Sequence, residues 1–249
     1  MRSPMKAIAV ISVLLMAGAT AYADPYTNIR PINPLGDNGS ENNLQEVFDS
    51  ITKSGGINAV TDQTPFAVFS SGASGGSVAT MIIELAANPG ANTFGLYDVG
   101  DPTNKAQVFA GAEGQGAQAV IGFMANGDIR VNGTVVASGF GSRFGFYLGV
   151  PNTAFYSQDA LNPGNKAQAL IYQGDGSSVL QIPGYAPGIF TVDEYIIAFE
   201  EVAFNKGSDK DFNDMVVVVE SITPVPVPGA ALLGLLGFGL IGWIKRRFA

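Results

Sequence analysis

Residues 208–221 read SDKDFNDMVVVVES, a polar and acidic stretch followed directly by a run of apolar residues. It places Asp209, Asp211, Asn213 and Asp214 within six positions, and four valines (Val216–Val219) follow directly after Met215. Consecutive valines favour a β-strand because β-branched side chains pack well on a pleated sheet. Neighbouring carboxylates repel one another unless a cation or backbone N–H groups lie between them. The stretch therefore predicts a buried strand that is held in place by a polar loop.

The sequence from Pro65 onward has the same β character. About a dozen short segments rich in Val, Ile, Phe and Tyr are separated by Gly, Asn, Asp or Pro. Asn132-Gly133, between IRV and TVV, is typical of a two-residue hairpin turn. The 32 glycines and 14 prolines, with only 14% charged residues, favour many turns between short strands over a helical bundle. The chain is therefore predicted to be all-β, with an antiparallel β-sandwich or jelly roll over residues 65–223.

Residues 24–64 precede the predicted strands as a lead-in that contains one helix. Ser40 is a candidate N-cap, Glu41 falls in the first turn, and Gly55-Gly56 ends the segment. Apolar residues recur at helical spacing between them, at Leu44, Val47, Phe48 and Ile51. This pattern predicts an amphipathic helix of about three turns that covers an open end or a face of the sheet.

The N-terminus has the three parts of a secretory signal peptide. Arg2 and Lys6 precede an apolar run over residues 7–19, and Ala21-Tyr22-Ala23 fits the small-x-small pattern of a cleavage site. The signal peptide is thus predicted to be residues 1–23, with the mature chain beginning at Asp24. An N-terminal membrane anchor is the weaker alternative, because the apolar core is short.

The C-terminal segment, residues 224–249, is predicted to be an apolar helix with a basic end. Pro226 and Pro228 precede the apolar run Gly229–Ile244, and Lys245, Arg246 and Arg247 follow it. The run has 16 residues, whereas a spanning helix needs roughly 17 to 25. The basic cluster would hold this end in the cytoplasm and leave the preceding chain outside. This segment is the one predicted contact with a membrane, and an ordinary tail anchor is the alternative interpretation.

The charge and the missing residue types exclude several functions. Removal of both ends leaves 8 basic and 21 acidic residues, a net charge of −13. So acidic a surface repels nucleic acid and attracts divalent cations. The absence of Cys and His excludes disulfides, thiol nucleophiles, a Ser-His-Asp triad and zinc sites that use those ligands. No cofactor other than a cation is predicted.

The acidic stretch predicts a calcium site. On an extended backbone Asp209, Asp211 and Asn213 share one face, and Asp214 follows them. Glu200 and Glu201, at the end of the preceding strand, are near enough along the chain to complete the shell. Calcium is the expected ion because it accepts six to eight oxygen ligands in flexible geometry. The alternative is a loop in which Asp and Asn cap backbone N–H groups without a metal.

Two further interpretations of the acids are weaker. Asp209, Asp211, Asn213 and Glu220 match EF-hand positions 1, 3, 5 and 12, but Asp214 stands where that loop needs glycine. Two of the three acids Glu200, Glu201 and Asp211 would serve as the acid and the base of a glycoside hydrolase, although nothing in the sequence fixes the separation of their carboxyl groups. We therefore predict that the protein is not an enzyme.

Several stretches together resemble known exported bacterial proteins. The Pro-x-Pro motif, apolar run and arginines of the C-terminus resemble the PEP-CTERM sorting signal of Gram-negative bacteria, with Val227 at the position of the usual glutamate. The stretches LQEVFDSIT, FYSQDALNPGNKAQALIYQG, IIAFEEV and SDKDFNDMVVVVE resemble proteins with the domain of unknown function 4114. Two positions depart from that family: Glu201 replaces an aspartate, and Gln168 stands where a histidine is frequent.

The resemblance implies a β-sandwich at the cell surface or in the exopolymer layer, processed by an exosortase and without established enzymatic activity. Related domains occur in large calcium-dependent adhesins. The expected function is therefore a calcium-stabilised, non-enzymatic surface module. A carbohydrate-binding module for exopolysaccharide is the alternative, with Tyr156, Tyr172 and Tyr185 as candidate stacking residues, and a hydrolase is the least favoured.

Overall fold

Two large antiparallel sheets face each other and confirm the predicted all-β sandwich. The computed structural model describes residues 42–71, 76–84, 90–111 and 113–225, with only the backbone described for residues 80–84. Within these residues there is one α-helix, α1 (Leu44–Ile51), and three 3-10 turns, at Asp159–Leu161, Pro163–Asn165 and Phe204–Lys206. The strands are β1 (Thr52–Ser54), β2 (Phe69–Ser71), β3 (Gly76–Glu84), β4 (Thr93–Asp98), β5 (Lys105–Phe109), β6 (Gln118–Phe123), β7 (Ile129–Val131), β8 (Thr134–Ala137), β9 (Phe144–Val150), β10 (Thr153–Tyr156), β11 (Ala169–Gln173), β12 (Val179–Leu180), β13 (Gly188–Ile189), β14 (Tyr195–Phe199), β15 (Met215–Glu220) and β16 (Ile222–Pro224).

The strands form three sheets. The first large sheet has the order β16-β2-β9-β4-β5, with β10 paired to β9, and the second has the order β11-β14-β15-β3-β6-β7-β8. A small sheet, β1-β12-β13, is separate from both. The inner faces of the two large sheets enclose an aromatic-rich core that includes Phe94 and Phe146 from the first sheet and Ile197 and Val217 from the second.

The four valines of β15 are buried on both faces of the second sheet. Val217 and Val219 pack in the sandwich core, whereas Val216 and Val218 pack on the opposite face. A strand with one wet face would alternate apolar and polar residues. The unbroken run of valines is therefore explained by a second layer that covers the outer face, and the predicted buried strand is confirmed.

The helix α1 and the small sheet form that second layer. The apolar face of α1 packs against the outer face of the second sheet, and the Phe48 ring lies edge-on to Tyr172 with the ring centroids 4.8 Å apart. The prediction that the helix covers a face of the sheet is thus confirmed. Its predicted boundaries were wrong. The N-cap is Asn43, which forms a capping box with Glu46, and the chain enters β1 at Thr52 before it reaches Gly55.

The predicted hairpin at Asn132-Gly133 is confirmed. The two residues have φ of 50° and 84° and connect the paired strands β7 and β8. A two-residue turn with both central residues at positive φ matches the right-handed twist of the strands it joins.

The predicted signal peptide, residues 1–23, and the predicted C-terminal helix lie outside the described residues. Among the residues that are described, no helix is both long enough and apolar enough to cross a membrane. The described residues all belong to one unit of the chain, Asp24–Pro226.

Candidate metal site

The acidic residues lie in the loop that joins β14 to β15. These strands are antiparallel neighbours, and Phe199 pairs with Met215 at the end nearest the loop. Glu200 follows Phe199 and Asp214 precedes Met215, so both ends of the loop are fixed by the central strands of the second sheet. The loop itself contains the 3-10 turn Phe204–Lys206, which ends at Gly207 with a φ of 95°.

The backbone of the acidic stretch is not extended, contrary to the prediction. Lys210 and Phe212 have φ of 67° and 54°. These values lie in the left-handed region of the backbone, which residues other than glycine seldom adopt. Both side chains contact Phe204: the Lys210 Nζ lies 5.2 Å from its ring centroid, and the buried Phe212 ring meets it edge-on at 5.9 Å. Strained backbone of this kind is held by its surroundings and is frequent at ligand sites.

Three of the predicted ligands come together. One carboxylate oxygen from each of Glu200, Asp209 and Asp211 lies within 4.8 Å of the other two. Glu200 and Asp211 are each only 1% exposed. Burial, together with the nearby charges of Asp209 and Asp211, raises the pKa of Glu200 to about 8. When all three are ionised they therefore repel one another, and the burial of Glu200 and Asp211 limits screening by water although Asp209 is partly exposed.

Glu200 has a buried acceptor oxygen without a hydrogen-bond partner among the described residues, although the Ser208 hydroxyl lies near enough to the carboxyl group to lower its pKa. Its Oε1 accepts a hydrogen bond from the Val202 N–H at 3.3 Å, whereas Oε2 is buried without a hydrogen-bond partner. Buried polar atoms without a partner are uncommon, because each loses its contacts with water. A carboxylate oxygen in this state is available to a bound cation.

Asn213 presents a second acceptor of the same kind. Its Nδ2 donates to the Asn42 carbonyl at 2.6 Å, and this bond fixes which way the side-chain amide is turned. The Oδ1 atom is buried and has no hydrogen-bond partner in the part of the chain that the structure describes. Asn213 lies two residues from Asp211, whose Oδ1 accepts a long bond of 3.5 Å from the Asn213 N–H.

Asp214 and Glu201, the other two predicted ligands, have different partners. The Asp214 Oδ2 accepts a hydrogen bond from the Glu201 N–H at 2.7 Å and so closes the base of the loop. Burial and the nearby Glu200 raise the pKa of Asp214 to about 9. The Glu201 Oε2 accepts from the Asn92 Nδ2 at 2.8 Å. Neither residue belongs to the group of three that meets, so a ligand role for either stays a prediction.

Two supporting residues were not predicted from the sequence. Gln168 donates through Nε2 to the carbonyls of Glu200 and Val202, at 3.1 and 3.0 Å, and so positions the start of the loop. Asn92, directly before β4, donates through Nδ2 to the Glu201 carboxylate. The two residues are 109 positions apart along the chain, and a local sequence pattern does not predict a contact between residues so far apart.

The oxygen cluster fits a metal ion. Calcium–oxygen distances are 2.3–2.6 Å, so two ligand oxygens of one ion lie at most about 5 Å apart. The three carboxylates meet that limit, and the buried oxygens of Glu200 and Asn213 that lack a hydrogen-bond partner among the described residues are of the kind that hard cations take. The arrangement does not suit glycoside hydrolysis, because Glu200 and Asp211 are buried and a sugar chain would not reach them.

Comparison with known proteins identifies no family. No protein-family model and no curated protein matches the sequence. Among solved structures, the fold is similar to the Chromobacterium violaceum lectin CV2L, determined in complex with alpha-methyl-fucoside. The similarity covers 65% of this chain and 98% of the lectin, at 12% identity and a TM-score of 0.28. A similarity this distant carries no argument about function.

Proposed function

We propose that the loop between β14 and β15 binds calcium through Glu200, Asp209, Asp211 and Asn213, and that the ion stabilises the sandwich. The observation that carries this proposal is the meeting of the Glu200, Asp209 and Asp211 carboxylates beside a buried Glu200 oxygen that has no hydrogen-bond partner among the described residues. An ion placed among them would replace mutual repulsion by attraction and would favour the ionised form of Glu200. Because the ion binds the folded loop only, it would raise the free energy of unfolding.

Backbone capping, the alternative interpretation, accounts for part of the loop. Asp214 caps the Glu201 N–H, as that interpretation expects. It leaves the Glu200 Oε2 and the Asn213 Oδ1 without a partner, although both are buried. Capping therefore explains the base of the loop, and a cation at its centre would supply a partner for both oxygens.

In this proposal the protein is an exported, non-enzymatic module of the cell surface or the extracellular matrix. The signal-peptide pattern of residues 1–23 and the sorting-signal pattern of residues 224–249 support export and processing by an exosortase. The net charge of −13 for the chain between them supports a setting rich in divalent cations.

The metal proposal is tested by thermal unfolding of the purified protein in EDTA and in millimolar calcium. Calcium should raise the Tm of the wild type, and Asp211→Ala should abolish the increase. Asp49→Asn is the matched control, because Asp49 is an exposed acid of α1 whose hydrogen bond from Gln45 an asparagine can also accept. This control should respond like the wild type. An equal Tm in calcium and EDTA for the wild type would leave capping as the better account.

Carbohydrate binding is a second candidate function, favoured by one of the three candidate tyrosines. Tyr172 is fully buried and donates to the Ala59 carbonyl, and the half-buried Tyr156 lies edge-on to Tyr97, so neither is placed as an open stacking platform. Tyr185 is 40% exposed and lines a cavity on the outer face of the second sheet. A glycan array probed with and without a chelator would show whether a sugar binds and whether binding needs the ion.

A further inference from the structure

A cavity that contains Tyr185 lies at the opposite end of β14 and β15 from the acidic loop. It has a volume of about 150 Å³, and its lining includes Gln118, Tyr185, Ile189, Glu194, Val218 and Glu220. Tyr195 pairs with Val219 at this end of the two strands, whereas Phe199 pairs with Met215 at the loop end. Five residues lie between Glu194 at this end and Glu200 at the loop end, so six strand steps separate them by about 20 Å. A ligand in the cavity would therefore not contact the metal loop.

One wall of the cavity is apolar and aromatic. Tyr185 and Ile189 are 40% and 55% exposed, and Ile182 and Phe190 also line the cavity. Tyr185 is held by a turn, in which its N–H donates to the Ile182 carbonyl at 3.0 Å. A flat, partly exposed ring with a polar hydroxyl is suited to a ligand that has one apolar face and polar edges.

Two glutamates, Glu194 and Glu220, also line the cavity. Continuation of the β14–β15 register beyond Tyr195 and Val219 places Glu194 opposite Glu220. Burial raises the pKa of both carboxyl groups, and the nearby Glu220 contributes to the shift of Glu194. The Glu194 Oε2 accepts a hydrogen bond from the Thr191 N–H at 2.6 Å. No lysine or arginine is among the residues that line the cavity.

The polar groups of the cavity suit a positively charged ligand that donates hydrogen bonds. Two carboxylates accept hydrogen bonds, whereas the side-chain donors of the lining are the Gln118 amide and the Tyr185 hydroxyl, which donates to the Gly116 carbonyl at 3.4 Å. These groups come from β6, the ends of β14 and β15, and the turn before β13, so they reach a ligand from several directions. A bare metal ion does not fit, because the lining offers two carboxylates among apolar side chains and calcium takes six to eight oxygens.

We propose that this cavity binds a sugar unit that carries a free amino group, within a polysaccharide. The apolar face of the pyranose ring would pack on Tyr185 and Ile189, and the ammonium group and a neighbouring hydroxyl would donate to Glu194 and Glu220. A lysine or arginine of a peptide brings its donors at one end only, and so matches the distributed polar groups less well. The inference rests on the second candidate function and does not depend on the cation.

The test is calorimetric titration of the purified protein with a glucosamine oligosaccharide, its N-acetylated counterpart and an oligolysine of equal length. The glucosamine oligomer should bind, and N-acetylation should weaken binding by about tenfold or more, since a charge-assisted hydrogen bond is lost. Equal binding of both oligosaccharides, or tighter binding of oligolysine, would overturn the proposal, as would the absence of any binding.

Variants locate the site and separate the two proposals. Glu220→Gln and Tyr185→Ala should each weaken binding of the glucosamine oligomer by about tenfold or more. Glu113→Gln, which changes an acid that does not line the cavity, should bind like the wild type. Binding should be the same in EDTA and in calcium, and Asp211→Ala should retain it. Loss of binding in Glu113→Gln to the same degree as in Glu220→Gln would show that only net charge is recognised and would overturn the site.

Discussion

Val217 and Val218 are neighbours in β15 but pack in different cores, since successive side chains of a strand point to opposite faces. Val217 is fully buried in the sandwich core. We expect Val217→Ala to lower the free energy of unfolding by about 2–3 kcal/mol, because it removes two methyl groups and leaves a cavity. Urea unfolding measures the change. The control Val135→Ala, at a position that is 44% exposed, should stay within about 0.5 kcal/mol of the wild type.

Glu200 gives the sharpest single-residue test of the acidic loop. Burial and the nearby Asp209 and Asp211 raise its pKa to about 8, so at pH 9, where the carboxyl group is ionised, Glu200→Gln should raise the Tm in EDTA by removing one of three like charges. The same substitution should reduce the increase in Tm caused by calcium, because glutamine supplies a weaker ligand oxygen. A lower Tm in EDTA would mean that the Glu200 charge already has a favourable partner in the ion-free protein.

At the scale of elements, α1 depends on its first turn. The Asn43 side chain accepts a hydrogen bond from the Glu46 N–H at 3.1 Å, and the Glu46 Oε2 accepts from the Asn43 N–H at 3.0 Å. We expect Asn43→Ala to lower the free energy of unfolding by about 1 kcal/mol. Asn43→Asp is the conservative control, since aspartate caps equally well and should retain stability. Chemical unfolding monitored by circular dichroism checks both variants.

A short stretch of sequence predicts some elements of this fold and not others. The valine run predicted β15 because β-branched residues carry the strand signal themselves, and Asn132-Gly133 predicted its turn because few residue pairs adopt two positive φ values. The N-cap of α1 was misplaced to Ser40, since Ser40 and Asn43 are both good capping residues and the choice depends on where the helix docks.

The loop between β14 and β15 could be predicted in part only. Its composition indicated a cation site, and Glu200, Asp209 and Asp211 do meet. The left-handed backbone of Phe212 was not predictable, because it depends on the contact with Phe204 and on burial against the second sheet. The role of Asn92 depends on a pairing between distant strands, which no window of sequence contains.

At the scale of the whole molecule, both ends of the β14–β15 pair carry acidic residues that are buried or partly buried. Glu200 and Asp214 lie at one end, and Glu194 and Glu220 lie at the other, and burial raises the pKa of all four. When these groups are ionised, the strand pair therefore carries an excess of negative charge at each end. Ligands that bring positive charge would relieve it: a metal ion at the loop and an amine at the cavity.

This distribution predicts how stability without calcium depends on pH. The pKa of Glu200 is 4.5 in the unfolded chain and is raised to about 8 in the folded protein. The pKa of Asp214 is 3.8 in the unfolded chain and is raised to about 9 in the folded protein. The folded state therefore holds more protons between these values, and the stabilisation is complete at low pH and is lost as pH rises through 8 to 9. Hydrogen bonds from Ser178 and Ser177 lower the pKa of the exposed Asp175 to about 2. Asp175 therefore affects stability only at a pH below that at which Glu200 and Asp214 do.

The Tm in EDTA should accordingly fall steadily between pH 5 and pH 9, and calcium should make the fall smaller, because the ion favours the ionised carboxylates that high pH produces. Scanning calorimetry of the wild type across this range, in EDTA and in calcium, measures both slopes. Glu200→Gln should flatten the slope in EDTA, since it removes one of the titrating groups, whereas Asp49→Asn should leave it unchanged. A Tm in EDTA that rises with pH would contradict the sign of these shifts, and with it the account of the loop as a set of charges that need an ion.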